Sequence, residues 1–190
     1  MSTNISVPAW PATKATAPSR MLWMADGFAE GAQVLCNAMA AEDYYPQYTN
    51  TRVILHLCRH ATELFLKGAI AFKTKQFIKT HRLDILFEKY QQHYPSANYQ
   101  IAFPFPKSVF VPREGLFPDI LEEFVRTHDQ RFRYPIDNTG EPFQDVEEFK
   151  ILDYQSAIDQ FRADLNIMVW FIESGRPPDQ MPELFSQRKN

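Results

Sequence analysis

Six polar side chains recur at helical spacing within one otherwise apolar segment, residues 52–72. They are Arg52, His56, Arg59, His60, Glu63 and Lys67. Arginine and lysine bind phosphate, an imidazole gains and loses a proton near neutral pH, and a carboxylate can orient either group. This combination predicts a site that binds RNA or a nucleotide and, in a catalytic protein, moves a proton to or from a ribose hydroxyl.

Each residue type suggests its own role in such a site. Arg52 and Lys67 would hold phosphate groups. His60 or His56 would act as general acid or base, and Arg59 would stabilise the negative charge of a phosphorane. Glu63 would orient the base or a histidine.

Two other interpretations of the same residues stay open. His56 and His60 lie four residues apart with Glu63 one turn further on, a geometry that also suits a metal ion. No glutamate lies between the histidines, and no second cluster offers further ligands, so we predict neither a metal nor a cofactor. In the other interpretation the residues form a solvated helix face, with an exposed Glu63–Lys67 pair worth a few tenths of a kcal/mol.

A second basic group follows further along the chain, in "VRTHDQRFRYP". Its members are Arg126, His128, Arg131, Arg133 and Tyr134. Arginines beside a tyrosine at a helix end can bind phosphate and stack a base. The same residues can instead pin the following loop to acidic side chains such as Glu122 or Asp129.

The element that must position the first group is a helix from about Thr49 to Lys75. At 100° per residue its apolar side chains share one broad face, and the six polar ones share an arc of about 100° opposite. The predicted core-facing residues are Ile54, Leu57, Ala61, Leu64, Phe65, Gly68 and Phe72.

Four further helices follow from apolar spacing, capping residues and breakers. The first runs from Met21 to about Glu42, and the next from His81 to His93 with Thr80 as N-cap. A further helix begins at Pro118, in "PDILEEFVRTHDQ", and the last runs from about Tyr154 to Glu173 and ends at Gly175. We expect His81 to tie down the loop before its helix. An ordered Pro/Phe-rich loop spans Pro95 to Pro118, and "NTG" predicts a short β-hairpin. The fold class is therefore all-α, with about five helices.

Composition limits the kind of protein this is. A net charge of −3 and a pI near 6.0 exclude a generally basic nucleic-acid binder, so any RNA contact must be local. Two cysteines, with no signal peptide and no long apolar run, predict a reduced, cytoplasmic protein that does not contact a membrane. We divide the chain into a flexible arm (1–20), a helical domain (21–175) and a polar tail (176–190).

Two blocks of the sequence resemble the core of the HEPN superfamily. "HLCRHATELFLKGAIAF" and "THRLDILFEKY" match a helix with an E-x-x-x-K-like stripe followed by an H-x-L-x-x-L helix, here Glu63 and Lys67, then His81, Leu83 and Leu86. The later "FRYP" and the last helix are also similar to bacterial members of that group. The resemblance extends over residues 21–174.

The resemblance implies an up-and-down helical bundle that forms a homodimer and belongs to a toxin–antitoxin, phage-defence or RNA-processing system. Many members are metal-independent ribonucleases with an arginine followed, after four to six residues, by a histidine at the dimer interface. That spacing is absent here, since Arg52 to His56 is one residue short and Arg52 to His60 is one too long. The alternative is a non-catalytic interaction or scaffold module whose segment Pro95–Pro118 docks a protein partner.

Overall fold

The computed structural model describes residues 15–110, 118–143 and 148–176. Within these ranges the chain forms five α-helices and no β-strand, which confirms the predicted all-α bundle. The helices are α1 (Ala17–Ala40), α2 (Tyr48–Thr74), α3 (Leu83–His93), α4 (Pro118–Arg131) and α5 (Ile151–Ser174), and the 3-10 turns Ala97–Tyr99 and Lys107–Val109 lie between α3 and α4.

Helix α2 is the centre of the bundle, because α1, α3 and α5 all pack against it. Of its predicted core face, Ile54, Ala61, Phe65 and Gly68 are buried, and the other three members pack half-buried against the core. The buried set extends beyond that face to Arg59, Thr62 and Glu63. The polar arc is therefore not a uniformly solvated surface.

Small residues let α1 approach α2 closely. Ala25, Ala29 and Ala32 of α1 are fully buried, and a Cβ atom added to Gly68 of α2 would lie 3.0 Å from a Leu22 side-chain atom. A Cβ contact this short is tighter than most in proteins, so a side chain at position 68 would force Leu22 to shift.

The helix ends differ from the predictions by a few residues. Helix α1 begins at Ala17, where Thr16 Oγ1 accepts a hydrogen bond from the Ser19 amide at 3.3 Å, so the last part of the predicted arm is helical. Residues 1–14 of that arm and 177–190 of the predicted tail lie outside the described residues. Helix α5 begins three residues early but ends as predicted, with Gly175 at φ 65°.

Two predicted local features are different in the structure. Helix α3 starts at Leu83 with Arg82 as N-cap, because Thr80 Oγ1 accepts from the Arg82 amide at 3.2 Å and stabilises the preceding turn instead. The predicted hairpin is a turn, closed by one antiparallel bridge between Ile136 and Pro142. Proline has no amide hydrogen to extend a strand ladder. Residues 144–147 lie outside the described part of the chain.

The Pro/Phe-rich loop is ordered as predicted as far as Phe110, and residues 111–117 lie outside the described ranges. Phe103 stacks on Phe110 with ring centroids 4.8 Å apart and also contacts Phe65 of α2 and Phe161 of α5. These rings attach the loop to the core. Across the described residues, every helix is too short or too polar to cross a bilayer.

Candidate functional site

Glu63 is the centre of a buried polar network on α2. Its Oε2 accepts a hydrogen bond from Arg59 Nη1 at 2.8 Å, and its Oε1 accepts one from Lys67 Nζ at 2.8 Å. Arg59 and Glu63 are each only 4% exposed. The structure therefore gives both residues protein partners and leaves them little contact with solvent.

The same network attaches the segment before α3. His81 Nδ1 lies 2.9 Å from Glu63 Oε1, and because a carboxylate only accepts, this nitrogen carries the proton. Arg59 Nη2 donates to the backbone carbonyl of His81 at 2.5 Å. His81 therefore attaches the segment before α3 to α2, as we expected. The Lys67 ammonium is hydrogen-bonded to Glu63.

Burial tends to raise the pKa of the Glu63 carboxyl, but hydrogen bonds from Lys67 and Arg59 outweigh burial and hold that pKa below its ordinary value. Glu63 is therefore an anion at neutral pH, with its lone pairs directed at cationic groups of the protein. Its position suits a structural charge that orients Arg59 and Lys67.

His56 and His60 lie one turn apart with their rings stacked, the centroids separated by 6.0 Å. Phe28 of α1 packs edge-on against His60 at 4.5 Å. Burial lowers the pKa of both imidazoles, and the positive charges of Arg59 and Arg133 lower it further. Two neutral, half-buried imidazoles thus stand side by side, and a neutral imidazole is the form that accepts a proton.

The two basic groups found in the sequence meet in space. The guanidinium of Arg52 on α2 lies 5.4 Å from the ring centroid of Phe132, just after α4. Arg133 is near enough to lower the pKa of His56 and His60, and Arg59 lowers that of His128. The C-terminal end of α4 therefore lies against the polar arc of α2.

His128 and Arg126, both predicted to bind RNA, have protein partners of their own. His128 is 2% exposed and packed edge-on between Phe105, Phe124 and Phe132, with centroids 5.0 to 5.3 Å away. Its Nδ1 has no hydrogen-bond partner among the described residues. Arg126 is at the surface, where Nε donates to Glu123 Oε2 at 3.0 Å.

Three other arginines of the two basic groups each lie against an aromatic ring. Arg52 lies 4.7 Å from the Tyr48 centroid, Arg131 lies 4.8 Å from Phe124, and Arg133 lies 5.2 Å from Tyr134. We call Arg52, Arg131 and Arg133 the arginine cluster. Stacking on a ring restricts the orientation of a guanidinium, and the guanidinium is the side-chain group that best matches an oxyanion.

The sequence analysis missed Tyr48. It precedes Arg52 by four residues, and its hydroxyl accepts a hydrogen bond from Arg52 Nη2 at 2.7 Å. The i, i+4 spacing of an aromatic and an arginine was the available signal. Beside these two residues lies a cavity of about 320 Å³, and a larger aromatic cavity of about 670 Å³ lies between α3 and the Pro/Phe-rich loop.

Comparisons with models of protein families, with curated proteins and with solved structures returned no match. Within the described part of the chain, no three His, Cys, Asp or Glu side chains are grouped so that they could hold a metal ion. The candidate site consists of the arginine cluster, His56 and His60, and the cavity beside Arg52.

The Glu63 network predicts a large stability loss when its anion is removed. Glu63→Ala leaves Arg59 buried without its counter-charge, so we expect the free energy of unfolding in urea to fall by about 3–5 kcal/mol. The control is Glu123→Ala, which breaks an exposed pair with Arg126 and should cost about 0–1 kcal/mol. Equal losses in the two variants would contradict a structural role for Glu63.

The burial of His128 predicts acid sensitivity. Burial first, then the charges of Arg59 and Arg131, hold its folded-state pKa well below the ordinary 6.5. Below about pH 6.5 the unfolded chain therefore binds a proton that the folded protein does not, and stability falls by up to about 1.4 kcal/mol per pH unit.

His128→Phe should remove this contribution, so the urea midpoint of the variant should depend less on pH than that of the wild type below about pH 6.5. Above that pH the histidine contributes no pH dependence and the two curves should run parallel. Identical slopes in acid would show that His128 titrates freely in the folded protein.

Proposed function

We propose that this protein binds single-stranded RNA through the surface where α2 meets the end of α4. The observation that carries the proposal is the convergence of the arginine cluster with His56 and His60. Guanidinium groups match phosphate oxygens in pairs, so arginines held on aromatic rings form a ready anion site. The chain as a whole has a net charge of −3, so this cation density is local.

RNA rather than free phosphate is favoured by the aromatic side chains of the site. Tyr134 is 50% exposed beside Arg133, and Tyr48 is 54% exposed beside Arg52. Exposed rings next to phosphate-binding arginines are what unstacked bases need, because each base can stack on a ring while its phosphate meets a cation. Both features are present on one surface.

The two histidines supply the groups for strand cleavage at this surface. One neutral imidazole takes the proton of a ribose 2′-hydroxyl as its oxygen attacks phosphorus. The other imidazole, protonated once phosphate anions raise its pKa, gives its proton to the departing 5′-oxygen as the P–O5′ bond breaks. Arg133 stabilises the charge of the phosphorane. Arg59, first considered for that role, is buried against Glu63.

The resemblance of two sequence blocks to the HEPN superfamily leads us to propose a HEPN-like ribonuclease of a toxin–antitoxin or phage-defence system, acting as a homodimer. The linear arginine-to-histidine spacing is missing, but Arg133 approaches both histidines from a distant part of the sequence. An arginine supplied by a separate segment can replace one supplied by the same helix, because charge stabilisation depends on position in space.

The alternative is a non-catalytic interaction module whose Pro/Phe-rich segment docks a protein partner. Phe103 and Phe110 of that segment pack against core rings, and both also line the cavity of about 670 Å³ beside α3. Such a module would bind no RNA, and RNA would not change its thermal stability.

RNA binding should depend on the arginine cluster. For the double variant Arg52→Gln, Arg133→Gln we expect at least about tenfold weaker binding of a single-stranded RNA. The slope of log Kd against log salt should also fall by about 1.4 if two phosphate contacts are lost. Fluorescence anisotropy at several salt concentrations measures both quantities. The matched control is Arg126→Gln, on α4 but paired with Glu123, and a similar loss there would refute the assignment.

Cleavage should depend on the histidines without loss of binding. In His56→Gln and His60→Gln we expect RNA cleavage to slow by about 100-fold or more, since each removes one proton-transfer group. Gel analysis of end-labelled RNA measures the rate, with the exposed His93→Gln as control. If the wild-type protein binds RNA without cleaving it, the proposed ribonuclease activity is wrong and only RNA binding stands.

A further inference from the structure

We infer that a nucleobase of the bound RNA, with guanine preferred, occupies the cavity beside Arg52. This inference rests on the proposed RNA binding and adds a base specificity to it. The cavity has a volume of about 320 Å³. Ligand pockets span about 300–1,000 Å³, so this one is of a size for a single base rather than a larger ligand.

The cavity adjoins the arginine cluster, because Arg52 belongs to both. Arg52 lines the cavity and also lies 5.4 Å from the Phe132 ring at the end of α4. A phosphate held by Arg52 therefore has its own nucleotide next to the cavity mouth. The walls come from the end of α1, the start of α2 and the residues leading into α5, so three parts of the bundle build the pocket.

Aromatic rings with fixed orientations line this cavity. Phe149 stacks on Tyr154 with centroids 4.3 Å apart and an interplanar angle of 5°, and Tyr48 is held by the Arg52 guanidinium. Rings that are already ordered lose little conformational freedom when a base binds. Met39 and Leu55, 1% and 8% exposed, supply an apolar wall that suits the face of a base.

The polar group that selects the base is Glu148, which also lines the cavity. A carboxylate only accepts hydrogen bonds. Guanine presents two adjacent donors, N1–H and the exocyclic N2–H, which one carboxylate can accept together. Adenine, cytosine and uracil each have only one donor group on that edge, with an acceptor beside it, so none of them can give the carboxylate two adjacent hydrogen bonds. Guanine is therefore the complementary base.

The test compares single-stranded RNAs that differ at one nucleotide in an oligouridine background. Guanosine is compared with inosine, which lacks only the exocyclic amine, and with adenosine, by fluorescence anisotropy on the wild-type protein. We expect guanosine RNA to bind about tenfold or more tighter than inosine RNA, the discrimination typical of a lost paired contact. Glu148→Gln should abolish that preference, whereas the exposed Glu88→Gln control on α3, which removes the same charge, should keep it.

The outcomes separate the two proposals. If guanosine, inosine and adenosine RNAs bind equally well, and all depend on Arg52 and Arg133, the base pocket is wrong and phosphate binding stands. If guanosine is preferred but Glu148→Gln keeps the preference, the assignment of Glu148 is overturned. If no RNA binds, the proposed function and the base pocket both fail.

Discussion

Glu63 accepts hydrogen bonds from Arg59, Lys67 and His81 inside the bundle, and the arrangement of the candidate site depends on that carboxylate. Arg59 reaches in turn to the backbone of His81, so one anion joins two turns of α2 to the segment that starts α3. A buried charge is tolerated only with partners of this kind, because the desolvation of an unpaired ion costs several kcal/mol. Three donors on two carboxylate oxygens leave Glu63 little capacity to contact a ligand.

The network also decides which cations can meet a ligand. Arg59 and Lys67 are held by Glu63, so the positive charges at the surface come from Arg52 on α2 and from Arg131 and Arg133 at the end of α4. His56 and His60 are kept neutral by burial and by the positive charges of neighbouring groups, among them Arg59 and Arg133. An anionic ligand nearby would raise the pKa of both imidazoles, so phosphate binding would favour their protonation.

Aromatic packing holds the two halves of the site together. Phe105 of the Pro/Phe-rich loop stacks on Phe132, and both rings enclose His128 of α4. Neighbouring rings of the same loop, including Phe103, pack against α2 and α5. The position of α4 over α2 therefore depends on rings in a loop that has no helical structure beyond short 3-10 turns. The abundance of phenylalanine in this chain is used largely for these contacts.

The sequence by itself determined the helices, because helical periodicity and a C-terminal glycine are local properties, and it named candidate residues for the site without showing which of them are accessible. It predicted the core face of α2 and the end of α5 at Gly175 well, and the starts of α1, α3 and α5 within a few residues. Tertiary structure decided which polar residues are buried and which meet. Arg59 and Glu63 lie on the polar arc of α2, and they are buried there because other parts of the chain, including the segment before α3, cover that arc. The charge of Arg133 lowers the pKa of His56 although 77 residues separate them in the sequence, and such an effect arises from packing, which the spacing of residues along one helix cannot encode.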